Sequence, residues 1–153
     1  MALSSILKPE AVKVFSAASS KKRLFQEIGD VAHSAYGLDP QNTVEALLER
    51  ESLGPTGVGH GVALPHARVP EIDSVIGIFL MLETPIDFGA VDRQPVDIAF
   101  SLFAPEESGV EHLKALALVS RTLRDSALCS KLRANPDSAT LYTLLTEAQP
   151  VAA

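Results

Sequence analysis

The sequence has one cysteine, Cys129, so it can form no internal disulfide and no metal site built from several thiolates. A lone thiol suits a reducing compartment, and the expected location is the cytoplasm. Positive charge is scarce too: 13 Lys and Arg stand against 19 Asp and Glu, for a net charge of −6, and no basic run exceeds Lys21-Lys22-Arg23. A face that neutralises nucleic-acid phosphates is therefore not expected. Long apolar runs are also missing. The longest, Val75 to Leu82, is far short of the ~20 residues that cross a bilayer, and Met1 to Glu10 lacks a basic segment followed by an apolar stretch. Neither secretion nor membrane insertion is expected.

What is present suits a folded globular chain. Hydrophobic residues make up 46% and charged residues 21%, too apolar a mixture for disorder. A chain of 153 residues can bury a core without disulfide or metal staples, and residues 1–153 read as one domain. Ser19 or Ser20 can cap a helix in which Leu24, Phe25, Ile28, Val31, Ala32 and Ala35 recur at helical spacing, ending at Gly37. Asp39-Pro40 opens a second helix, with Val44, Leu47 and Leu48 on its apolar stripe and Gly54 as its stop.

Residues 54–61 read Gly-Pro-Thr-Gly-Val-Gly-His-Gly, too rich in glycine for a regular helix or strand, so a loop is expected. Val62-Ala63-Leu64 follows as a short strand. Val75 to Leu82 is continuously apolar, as a central strand covered on both faces would be. Val96, Ile98, Phe100 and Leu102 alternate and predict another strand. After Pro105 come three helical stretches, the last following the cap signal Asn135-Pro136. Helices, then strands, then helices predict an α/β fold, a mixed β-sheet sandwiched by helices on both faces.

Chemistry concentrates at Leu64-Pro65-His66. A strand end is a rigid mount for a reactive side chain. Pro65, with no amide hydrogen and a fixed φ, is expected to end the pairing and aim His66 at the loop. An imidazole of ordinary pKa, about 6.5, is largely neutral at cytoplasmic pH and can attack phosphorus through a free lone pair. If a backbone carbonyl holds the other nitrogen, Nε2 becomes the nucleophile. Phosphoryl transfer rests on positioning and on donors to the equatorial oxygens, which main-chain amides of Gly57, Val58, Gly59, His60 and Gly61 could supply.

Spacing alone leaves the bland alternative open, in which His66 is an ordinary satisfied histidine and the glycines merely make a tight connection. Zinc held by His60, His66 and His112 is disfavoured, because the spacings of metal-binding helices are absent and Cys129 is remote in sequence. A nucleotide site is disfavoured as well, since no Lys-Ser or Lys-Thr pair follows the glycines.

The stretch Arg50-Glu51, Gly54-Pro-Thr-Gly-Val-Gly-His-Gly-Val-Ala-Leu-Pro-His66-Ala-Arg68 resembles the active-site signature of phosphotransferase-system IIA domains of the fructose/mannitol type. The likeness continues through Leu82-Glu-Thr-Pro-Ile-Asp-Phe88, Val91-Asp-Arg-Gln-Pro-Val-Asp97 and Glu111-His-Leu-Lys-Ala-Leu116, and so covers nearly the whole chain. Gln94-Pro95-Val96-Asp97 in a chain of this length looks most like the nitrogen-regulatory branch. The resemblance implies the mixed-sheet sandwich of that family, phosphorylation of His66, and active-site roles for Arg50 and His112. It implies an HPr-like phosphocarrier as donor, no cofactor, and regulated partners such as potassium transporters or sensor kinases. Two departures stand out: His60 where many relatives carry asparagine, and Ala67 where glycine often follows the histidine. Rival readings are a sugar-transporter IIA component that passes phosphate to a IIB partner, and a binding module that has lost phosphotransfer.

Overall fold

A computed structural model of the chain describes residues 1–148. The elements in chain order are β1 (Leu7–Phe15), α1 (Lys21–Tyr36), α2 (Pro40–Ser52), β2 (Gly57–Gly59), β3 (Val62–Ala63), β4 (His66–Val69), β5 (Ile76–Ile86), β6 (Val96–Pro105), α3 (Val110–Leu123), α4 (Ser126–Arg133) and α5 (Ser138–Glu147).

The helices form where the local signals place them. Ser20 caps α1, its side chain accepting from the Arg23 amide, and Gly37 ends the helix in the left-handed conformation at φ 76°. Asp39 caps α2 through the Asn42 amide, with Pro40 in the first turn. The cap of α5 is Asp137, which accepts from the Thr140 amide, so that helix starts two residues beyond Pro136 rather than at it.

The sheet is mixed, in the order β1-β5-β6-β3-β2, with β4 also pairing β6. β1 runs parallel to β5, and β3 and β4 run parallel to β6, while β5–β6 and β2–β3 are antiparallel. Phe79 and Phe100 meet edge to face at 6.3 Å across the central pair, an arrangement worth ~0.5–1.5 kcal/mol beyond area burial. Both central strands are buried on both faces, so the alternation read at Val96 to Leu102 understates the covering of β6. Helices therefore lie on both sides of the sheet, as the α/β sandwich requires.

Three departures from the sequence reading matter. The N-terminal strand β1 was not foreseen, because Pro9 and the two lysines mask its pattern. As an edge strand it tolerates them, and its register shifts between Leu7 and Val12, around the proline. Gly57–Gly59 is a strand rather than loop. It forms a hairpin with β3 whose two-residue turn, His60 (φ 58°) and Gly61 (φ 80°), has the positive φ at both positions that a tight hairpin needs. Pro65 does not end the pairing. Ala63 faces Ala99 and His66 faces Leu102 with no slip between, and the Pro65 carbonyl accepts from the Leu102 amide at 3.0 Å. Pro65 forgoes one donor but keeps its acceptor, so β3 and β4 lie along β6 as one line.

Candidate functional site

His66 opens β4, and its ring is held by its own strand. Leu64 turns both of its backbone groups away from β6: its amide donates to Thr56 O at 2.9 Å, and its carbonyl lies 2.8 Å from His66 Nδ1. A carbonyl can only accept, so Nδ1 carries the hydrogen and the lone pair sits on Nε2. Among the described residues Nε2 has no protein partner, and it is not sealed from solvent. Burial pushes the His66 pKa down, the Leu64 hydrogen bond opposes that, and the Arg50 charge adds to the depression. The neutral nucleophilic form is favoured at neutral pH.

His112 stands in the first turn of α3, 6% exposed, its ring centroid 5.5 Å from that of His66 at an interplanar angle of 71°. Its Nε2 is buried and has no hydrogen-bond partner among the described residues. Burial, then His66, then Arg68 bring its pKa down to about 4. Arg50 lies in the last turn of α2, which packs on β4, and its Nη1 donates to Gly54 O at 3.1 Å. The structure thus brings His66, His112 and Arg50 together from a strand and two helices.

The tip of the glycine hairpin stands apart from them. Gly57 and Gly59 pair with β3, the His60 amide donates to Asp92 Oδ2 at 2.9 Å, and the Gly61 carbonyl accepts from the amides of Asp97 and Ile98, both at 3.0 Å. The straight run from Gly61 to His66 covers about 16 Å at ~3.3 Å per residue. Gly57, Val58, Gly59, His60 and Gly61, expected as a phosphate cradle, build and fix a hairpin whose base, Gly57, pairs with Ala63 and whose tip points away from His66. Arg133 completes it, donating from Nη2 to the His60 carbonyl and pairing with both oxygens of Asp97, all at 2.9 Å. A Cβ on Gly61 would lie 2.6 Å from Arg133 Nη2, so only glycine fits that packing. The positive φ at His60 is one that histidine, like asparagine and aspartate, adopts more readily than other non-glycine residues. His60 is at the hairpin tip, apart from the His66–His112 pair, and no group of three or more possible metal ligands occurs among the described residues.

Three residues without an assigned role in the sequence reading contribute. Arg68 shares an outward face of β4 with His66, at the period of two, and its charge acts on His112. Glu51, its side chain 8% exposed, accepts from Lys21 Nζ at 2.9 Å and from the Thr56 amide at 3.1 Å. Thr56 in turn meets Leu64, which orients His66. A carboxylate followed by the one threonine of the glycine-rich string was the available signal. The fourth histidine, His33, has a structural contact, its Nδ1 lying 3.1 Å from Leu38 O, and Asp87 accepts from the Gly89 amide. No helix among the described residues is long and apolar enough to cross a membrane.

The chain as a whole has counterparts among known proteins. Residues 5–148 match the family model described as phosphoenolpyruvate-dependent sugar phosphotransferase system, EIIA 2. A nitrogen regulatory protein of Bradyrhizobium diazoefficiens is 43% identical over 145 residues, covering 95% of each chain. That of Escherichia coli K12 is 40% identical over 149 residues, covering 96% of this chain and 91% of the other. The crystal structure of the nitrogen regulatory protein IIA-Ntr from Neisseria meningitidis superposes with a TM-score of 0.86 at 32% identity, over 93% of this chain and 97% of that one. The mannitol IIA of Escherichia coli shares the fold, at a TM-score of 0.73 and 22% identity over 90% and 97%. The chain belongs to the EIIA type-2 family of the phosphotransferase system and is similar, nearly end to end, to its nitrogen regulatory proteins.

Proposed function

We propose that this protein, one domain working in the cytoplasm, accepts a phosphoryl group on His66 Nε2 from a phosphorylated HPr-like carrier and regulates partner proteins according to its phosphorylation state. One observation carries the reading: the 2.8 Å contact between His66 Nδ1 and Leu64 O, which leaves a single nitrogen with an available lone pair. In the transfer, Nε2 attacks phosphorus in line while the bond from phosphorus to the carrier's histidine breaks, its electron pair returning to that imidazole. Arg50 and His112 stabilise the equatorial oxygens, with Arg68 adding positive potential. No cofactor takes part.

The product carries about two additional negative charges on an already acidic protein, which changes the partners that can dock. Regulation is favoured over sugar transport because likeness to nitrogen regulatory proteins extends over nearly the whole chain at 40–43% identity. By analogy with that branch, potassium transporters and sensor kinases are the partners to test first. Incubation with phosphorylated carrier followed by mass-spectrometric mapping tests the assignment. The expected product is an acid-labile, base-stable phosphohistidine at His66. Undiminished uptake by His66→Ala would exclude it.

A further inference from the structure

His112 is an unusual neighbour for a nucleophile. Its Nε2 is sealed from solvent and pairs with nothing among the described residues, although buried polar groups in folded proteins almost always find a partner. The ring is not shielded from His66: the two imidazoles meet edge to face at 5.5 Å. A nitrogen left unpaired at that place is satisfied once it carries a hydrogen and meets a negatively charged acceptor, and phosphorylation of His66 supplies the acceptor.

We propose that His112 binds a proton when His66 is phosphorylated and releases it when the phosphoryl group leaves, so that phosphoryl occupancy is linked to pH. The inference rests on His66 being the phosphorylated residue. In the resting protein the charged form of His112 is opposed chiefly by burial, then by any charge on His66 and by the Arg68 guanidinium. Arg50 and Glu51 on α2 act on His66 with opposite signs. On its own helix Glu111 and Lys114 pair with each other in solvent at 3.8 Å. β6, against which α3 packs, has Asp97 as its one ionisable residue, and Arg133 of α4 holds it at the hairpin end. On α4, Asp125 caps the helix, and Lys131 points to solvent. Nothing nearby therefore compensates a charge on His112 until the phosphoryl dianion arrives.

The balance is simple. The bond from phosphorus to the carrier's histidine breaks, the bond to His66 Nε2 forms, and one proton passes from solvent to the His112 imidazole. The imidazolium then has an oxygen acceptor for its unpartnered N–H, and the phosphoryl group has one more charged donor. Because protonation accompanies phosphorylation, transfer toward this protein is favoured as pH falls and disfavoured as it rises.

The test is an NMR titration of isotopically labelled protein, free and after phosphorylation by phosphorylated carrier, with the site confirmed by mass spectrometry. The His112 midpoint is expected to rise by about 1–3 units on phosphorylation. In parallel, the phosphorylated fraction at a fixed carrier ratio is measured between about pH 6 and pH 8. It should rise toward acid in the native protein and lose that additional slope in His112→Gln. An unchanged His112 midpoint in protein carrying the label on His66 overturns the linkage and leaves the phosphorylation reading intact. Absence of label on His66 overturns both. The titration uses the native protein, so it decides the question even if His112→Gln folds poorly.

Discussion

Replacing Gly61 by alanine separates two roles for the glycine hairpin. At φ 80° an L-residue takes on left-handed strain, about 1–2 kcal/mol. The new Cβ would also meet Arg133 Nη2 at 2.6 Å and Asp97 Oδ1 at 2.9 Å, displacing an ion pair whose side chains are 36% and 17% exposed. A pair that open to solvent contributes ~1 kcal/mol at most. Together the substitution should destabilise by roughly 2–3 kcal/mol, or about 5–10 °C in Tm for a chain of this size. Urea unfolding with an unchanged m-value measures it. Phosphoryl uptake on His66 below the transition should change by less than about twofold, since distant sites act independently. A stability loss under about 0.5 kcal/mol would refute the packing argument. A rate loss on the order of 10²-fold in folded protein, typical of losing an oxyanion donor, would return the glycines to the reacting phosphoryl group.

Arg50→Gln should slow phosphoryl uptake by roughly 10–100-fold with little effect on the urea midpoint, and equal single-turnover rates would remove Arg50 from the site. Because the His112 pKa is lowered from 6.5 to about 4, its contribution to stability is complete above pH 6.5 and is lost as pH falls toward 4. The native protein should lose on the order of 2 kcal/mol across that window, a loss His112→Gln does not share, as paired denaturation curves will report. Tyr36 donates to Gly77 O at 2.7 Å and accepts from the Lys8 amide at 3.2 Å, so Tyr36→Phe should destabilise. The cost is about 1–2 kcal/mol, and an unchanged melting curve would count against it. Burial also raises the Tyr36 pKa above 10.0, so in native protein its stabilisation holds below that pH and declines as pH rises further, a decline Tyr36→Phe should lack. Cys129, buried against Leu123 O with a raised pKa, should react with thiol reagents only as fast as the fold opens, and labelling at the rate of a free thiol would contradict its burial.

Local chemistry was legible in the sequence where one or two residues decide the geometry. Ser20, Gly37 and Asp39-Pro40 set helix ends with no help from the rest of the chain. β1 was not legible, because its pattern makes sense only beside β5, where an edge position excuses Pro9. The glycine string was ambiguous for a related reason. Glycines at a hairpin and glycines around a phosphate look alike until Asp92 and Arg133, 32 and 73 residues from His60, are seen to occupy its backbone groups. The short-range part of the site, His66 and the carbonyl two residues before it, lay within one motif. The contacts made by His112, Arg68 and Glu51 depend on how α3, β4 and α2 pack, and only the folded chain displays them.

The tether from Leu64 to the ring has a consequence for how many proteins one histidine can serve. A side chain aimed by a visiting protein would need every visitor to carry the same aiming group. Here the aim is built in, two residues back along the same strand. If His66 carries the phosphoryl group as proposed, donors and receivers of unrelated shape meet an identical nitrogen in an identical pose, and what they read is the presence or absence of charge.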